Sequence, residues 1–223
     1  MRRSAIPGTG EAMDESVDRR EFLKKAAVGS IALASIPALG TALAAPASGD
    51  EDADHVRWDI ISLGFTPLTF NPGGFSDAKD PSNRKIRLKG AGTFIAPASG
   101  GISSAVSGGG TWETFSAAGV STGSGTYRVT GLASWRFANM QSQTPVFIDN
   151  IGNTAERANG TAVLLIAYSD GSRGTLGVGC HGPGAPDGIV EGVIATKGFV
   201  TYWTAEAPAP GVDANRTIFH VRQ

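Results

Sequence analysis

The chain has 223 residues, 19 basic and 20 acidic side chains, a formal net charge of −1 and 41% hydrophobic residues, with a single cysteine. That balance offers neither a nucleic acid nor an anionic membrane an electrostatic footprint. One cysteine also excludes an internal disulfide, so the domain must be held by its core.

In chain order, residues 18–30 read DRREFLKKAAVGS. Arg19 and Arg20 are followed by Phe22, Leu23 and Lys24, then by a modestly apolar run from Ala26 to Leu43 that Pro37 interrupts. Ala42-Leu43-Ala44 supplies a small-x-small cleavage pattern. This stretch resembles a twin-arginine (Tat) export signal, a route that carries folded proteins. The resemblance implies residues 1–44 as a signal peptide cleaved near Ala44, with Met13 as an alternative start. It also implies the Tat translocase as a partner and an extracellular, cell-envelope or periplasmic location. A retained membrane anchor is the competing expectation, but Ala26–Leu43 is short and only weakly apolar for a span. Once the leader is cleaved, no stable membrane insertion is expected.

Residues 45–54, APASGDEDAD, carry no apolar periodicity and are expected to be a disordered acidic linker. From residue 55 to 223 the composition is uniform, glycine-punctuated and β-branched, which predicts a single all-β domain. Strands are predicted over 55–65, 84–96, 110–117, 125–137, 161–169, 173–180, 189–203 and 216–222. SDGSRG (169–174) is predicted as a hairpin turn, and 66–83, 138–160 and 204–215 as loops. In 84–96, Ile86, Leu88, Gly90, Gly92 and Phe94 share the inward face. In 125–137, Tyr127, Val129, Gly131, Ala133, Trp135 and Phe137 do so, with Leu132 as an exception. AVLLIAY (162–168) is apolar throughout and is expected to be central or covered on both faces.

A Gly-x-Gly-Thr-aromatic motif occurs at Gly90–Phe94, Gly108–Trp112 and Gly123–Tyr127. Each leads into a predicted strand rather than a helix, which excludes a phosphate cradle. The glycines instead allow strands to bend while the aromatic covers the interior. Curved strands of this kind predict a closed antiparallel barrel of about eight strands, with a two-sheet sandwich as the alternative. The domain loosely resembles the small eight-stranded barrels of lipocalin-like and dirigent or allene-oxide-cyclase-like proteins. The resemblance is architectural and transfers no residue's role.

Metal ligands are scarce. Cys180 and His181 are the weak candidates, and adjacent strand residues point to opposite faces. No cofactor is predicted. Hydrolytic chemistry lacks a nucleophile elbow. Charged residues within apolar strands are the candidates for proton transfer: Glu191, Lys197 and His220. The competing expectation for them is an outer-face ladder of cross-strand pairs. Trp58, Trp112, Tyr127 and Trp135 are candidates to line an apolar ligand pocket. The expected role is therefore binding of a small apolar ligand. The alternatives are a cofactor-free isomerase or cyclase in the same cavity, and a structural or surface-interaction domain without a pocket.

Overall fold

The computed structural model describes residues 53–97 and 102–222. Arg19, Arg20, Phe22, Leu23, Ala44 and most of the acidic stretch lie outside them. The described residues are all-β. The long strands are β1 (Asp54–Phe65), β4 (Lys85–Ala96), β5 (Val106–Phe115), β6 (Ser121–Met140), β8 (Arg157–Tyr168) and β9 (Arg173–Cys180). Shorter ones are β2 (Leu68–Pro72), β3 (Ser76–Lys79), β7 (Ile148–Asp149), β10 (Gly192–Lys197), β11 (Val200–Tyr202), β12 (Thr204–Ala205) and β13 (Thr217–Arg222). Ser169–Ser172 makes the predicted turn between β8 and β9, with Asp170 Oδ1 accepting from the Ser172 N–H at 3.1 Å.

All ladders are antiparallel except that of β2 with β7. Pairings run from β1 through β4, β5, β6 and β8 to β13, which returns to β1. The return rests on two residue pairs, Phe219↔Ala158 and His220↔Arg157. Outside this circuit, β9, β10 and β11 extend the sheet from β8, β3 and β12 extend it from β4, and β2 and β7 from β1. These pairings do not amount to the single eight-stranded ring expected from the sequence.

The predicted loops conceal four of these strands: β2 and β3 in 66–83, β7 in 138–160, β12 in 204–215. Predicted strand 189–203 is broken into β10 and β11, and its first residues precede β10. β5 begins at Val106, four residues before the predicted strand 110–117.

β6 shows how a sequence pattern can be re-phased. Relative to β8 it contains register shifts between Val129 and Gly131 and between Leu132 and Ser134. Each adds one residue to β6. Inward positions therefore fall at Val129, Leu132 and Trp135, opposite Ile166, Leu164 and Ala162. Leu132, the exception to alternation, is fully buried. β8 is central; its first four residues are buried on both faces, whereas farther on Leu165 is exposed while Leu164 and Ile166 are buried.

The main core gathers Val56, Trp58, Ile60, Ile86, Leu88, Phe94, Leu164, Leu176 and Phe219 among others. The glycine motifs serve it by close approach. Their strands lie side by side, with Gly90 opposite Gly110 and Trp112 opposite Gly125. A β-carbon on Gly92 would stand 2.9 Å from Trp58 Nε1 and 2.2 Å from the Ser107 carbonyl oxygen. The absent side chain makes room for the neighbouring strand and for an inward indole.

A second, smaller cluster lies on the opposite face of β1 and β13: Ile61, Leu63, Phe70 and Ile218, with Phe147 and Ile151 packed against it. β13 is consequently buried on both faces, Phe219 and Val221 joining the main core and Ile218 the second cluster. The segment between β6 and β8, carrying β7 and one 3-10 turn at Thr154–Glu156, supplies Phe147 and Ile151 to the second cluster.

Candidate functional site

A cleft of about 460 Å³ opens on the second cluster. Its apolar wall comes from Ile61, Leu63, Phe70, Phe147 and Ile218. The Phe70 and Phe147 rings stack at 4.4 Å between centroids, inclined by 13°. The polar wall comes from Gln141, Glu191, Arg216 and Thr217, with Cys180 and His181 alongside.

Glu191 reaches this wall because it stands outside β10. Gly192 takes a φ of +101°, a left-handed conformation suited to glycine, and breaks the alternation that would have put Glu191 on the face of Val193 and Ala195. The carboxylate accepts from the His181 N–H at 2.5 Å and the Thr217 N–H at 2.6 Å, with the Thr217 hydroxyl at 3.4 Å. Burial outweighs these hydrogen bonds and the nearby Arg216 charge, and pushes its pKa up to about 7. Glu191 keeps part of its surface on the cleft while protein encloses much of its carboxyl group. An acid that titrates near neutrality in an apolar cleft can bind, give or take a proton.

Cys180 and His181 line the same cleft but diverge. The Cys180 thiol is buried, donates to the Thr217 carbonyl oxygen at 3.3 Å, and receives an N–H from the Gln141 amide at 3.2 Å. Burial, reinforced by Glu191, pushes the thiol well up, so it is not a ready thiolate. His181 is exposed, and its Nδ1 lies 2.9 Å from the Ile189 carbonyl oxygen. That oxygen only accepts, so Nδ1 carries the proton. Neither a nucleophile–base pair nor a shared metal position results. Among the described residues, no group of three His, Cys, Asp or Glu side chains is placed to hold a metal ion.

His220 lies on a different wall. It faces a second cleft of about 670 Å³ that Arg57, Thr93, Ser107 and Gly152 also line. Its Nε2 meets Asp149 Oδ2 at 2.9 Å, both side chains being buried, while Nδ1 has no partner among the described residues. A β-carbon on Gly152 would come within 2.6 Å of the imidazole, so this glycine lets the β6–β8 segment close over the ring. Burial pushes Asp149 up, but His220 and the N–H groups of Ile151 and Gly152 outweigh it and hold the acid below its usual range.

Lys197 belongs to neither cleft. It pairs with Asp170 of the β8–β9 turn and lies 4.2 Å from the Trp112 ring centroid. The outer-face ladder expected for the three residues therefore fails for Glu191, which stands outside β10 on a cleft wall, and for His220, which is buried beneath the β6–β8 segment. A cross-strand pair does form at Arg87, which binds Asp77 of β3 through two bonds of 2.8 Å.

The aromatic candidates belong to the main core and line neither of these clefts. Trp58 and Tyr127 are buried, with Trp58 Nε1 and the Tyr127 hydroxyl unpartnered among the described residues. Trp135 packs on Phe94 and Phe219 and donates Nε1–H to Asp54 at 3.1 Å. Trp112 donates to the Thr126 carbonyl oxygen at 3.1 Å and has one edge on a shallow outer groove. The cleft's own aromatics, Phe70 and Phe147, come from segments that the sequence presents as loops.

Sequence reasoning also missed Gln141, Arg216, Asp149 and Arg157. Arg157 is fully buried at the start of β8, its Nη2 donating to Gln143 Oε1 at 3.1 Å and its Nε to the Thr154 carbonyl oxygen at 3.3 Å, while Nη1 has no partner among the described residues. An arginine opening an apolar strand is a detectable signal, although it does not name a partner. Comparison with protein-family models, with curated proteins and with solved structures finds no match to this chain.

Proposed function

We propose that the protein is an exported binding protein that takes a small, largely apolar molecule into the cleft between β1, β2, β13 and the β6–β8 segment. In this reading the circuit of pairings wraps the main core as a small barrel, and the ligand lies against its outside rather than in its filled centre. The observation that carries the proposal is the apolar cleft of about 460 Å³ with Glu191, titrating near 7, on its polar side. Concave, mostly apolar sites with a few convergent polar groups are the ordinary form of small-molecule sites. Export rests on the twin-arginine pattern at Arg19 and Arg20.

The test is binding of neutral apolar probes such as methyl cinnamate, followed through the methyl resonances of Ile61, Leu63 and Ile218. Saturable shifts at these methyls, lost when Leu63→Trp fills the cleft, are expected. Saturation confined to methyls of the main core would overturn the placement. Replacing Arg19 and Arg20 together by lysine is expected to retain the protein inside the cell, and unchanged export refutes the Tat assignment.

A second reading, proton transfer on the bound molecule, is favoured by the position of the Glu191 pKa. It requires turnover of a bound substrate that Glu191→Gln abolishes while binding persists.

A further inference from the structure

Building on the cleft as a binding site, we infer that its ligand is an apolar monocarboxylic acid whose carboxylate pairs with Arg216. The cleft offers two charged groups, and they differ in what they still have to give. Both Glu191 oxygens already accept a short backbone N–H bond, from His181 and from Thr217. Part of the acceptor capacity a cationic ligand would use is therefore taken, Oε1 by the Thr217 N–H and hydroxyl and Oε2 by the His181 N–H. Arg216 is differently placed. Among the described residues its side chain makes one hydrogen bond, a long one of 3.4 Å from Nη2 to the Ala209 carbonyl oxygen. Among the described residues its buried Nε has no partner and it forms no ion pair. A guanidinium carries five N–H donors in a fork that fits a carboxylate. The unspent charge of the cleft is thus the cation.

A second unspent group lies on the same wall. Gln141 is buried, and its Nε2 donates to the Ala158 carbonyl oxygen at 3.3 Å and to Cys180 Sγ. Because a backbone carbonyl only accepts, this contact fixes the amide orientation and leaves Oε1 without a donor. A ligand hydroxyl or N–H near the carboxylate would satisfy it. The stacked Phe70 and Phe147 rings and Ile61, Leu63 and Ile218 are suited to an aromatic or branched apolar body. One guanidinium beside an acidic Glu191 favours a monoanion over a phosphate dianion, which Glu191 would repel more strongly.

The test is titration of the whole protein with cinnamate, octanoate, methyl cinnamate and cinnamylamine, read by calorimetry and by the cleft methyl resonances. The acids are expected to bind at least about tenfold more tightly than the ester and the amine, as befits a charge-assisted pair. Arg216→Gln is expected to bring cinnamate down to the level of the ester, with an unchanged unfolding midpoint to show that the fold is intact. Equal binding of acid and ester, preference for the amine, or indifference of cinnamate to Arg216→Gln overturns the inference while the cleft remains a binding site. Failure of both acids while the ester binds has the same meaning. Failure of all four probes overturns the binding reading as well.

Discussion

Glu191→Gln tests the electrostatics of the cleft directly, because the carboxyl group's pKa differs between the folded and unfolded chain. Its ordinary value is 4.5 and the folded value about 7, with burial as the main cause. The folded protein therefore holds this proton to a higher pH than the unfolded chain does. The sign follows: the contribution to stability is fully present below about pH 4.5, declines as pH rises, and is lost above about 7. At 1.36 kcal/mol per unit, the full difference is worth about 3 kcal/mol. Part of Glu191 faces the cleft, where water screens it, so about half of that is expected in practice. Glutamine cannot titrate, and its amide must turn an N–H toward the His181 or Thr217 N–H. At pH 5 the variant should therefore be less stable than the wild type, by about 1–3 kcal/mol for the lost acceptor. Urea unfolding at half-unit steps from pH 4.5 to 8 measures both proteins. The gap between them should shrink by about 1.5 kcal/mol as pH rises, and the three histidines, common to both, cancel in the difference. A gap that is flat with pH, or that widens, refutes the burial argument for Glu191.

Three further outcomes are expected. The Cys180 thiol should resist a disulfide reagent in the native protein and react with one equivalent on unfolding, since it is buried and its pKa is pushed up; rapid native-state labelling contradicts this. Gly92→Ala should lose about 2–4 kcal/mol by urea unfolding, because its β-carbon would lie 2.2 Å from a backbone oxygen; a loss below about 1 kcal/mol means that β4 and β5 do not approach so closely. Asp149→Asn, which weakens the contacts with His220 and with the N–H groups of Ile151 and Gly152, should cost about 2–4 kcal/mol at pH 7. The folded Asp149 pKa is lowered, so that deficit should narrow as pH falls below about 4, and acid unfolding curves of the two proteins read it.

The sequence displays what period and glycine placement can encode. β1, β4 and β9 fall close to their expected bounds, and the inward face Ile86–Leu88–Phe94 is buried as alternation requires. Alternation loses its meaning wherever the backbone adds a residue or turns. One bulge puts Leu132 inside and a second returns Trp135 to that face, and the positive φ of Gly192 lifts Glu191 out of the strand pattern and onto a cleft wall. β3 is hidden for another reason. Ser76 and Asp77 read as loop residues, yet both are buried, because Asp77 finds Arg87 across the ladder and its N–H finds the Asn215 side chain at 2.8 Å. A buried polar strand cannot be recognised before its partners are known. Phe147, Gln141 and Arg216 come together through the same kind of long-range closure, and Glu191, Cys180 and His181 are the members of that cleft that the sequence singles out.

The distribution of unsatisfied polar atoms bears on where function lies. Buried polar groups normally find partners, and those that do not weaken the fold. Among the described residues, seven buried side-chain atoms have none. Trp58 Nε1, the Tyr127 hydroxyl and Ser76 Oγ are single groups on large or small neutral side chains. The other four belong to Gln141, Arg157, Arg216 and His220. Gln141 and Arg216 line the cleft of Glu191, and His220 lies under the segment from Gln141 to Glu156 that carries Phe147 to that cleft. Arg157 ends the same segment, holding Gln143 and lying 5.6 Å from the Phe147 ring centroid. Four of the seven therefore gather at the Glu191 cleft and the segment beside it, and three lie elsewhere. Such concentration is expected where a protein keeps polar groups free for a ligand, because an apolar core of the same shape would be more stable and could do less. The cost of leaving Arg157 Nη1 and Arg216 Nε without partners is the strongest physical reason to look for the ligand at this end of β1 and β13, and not within the main core on their other face.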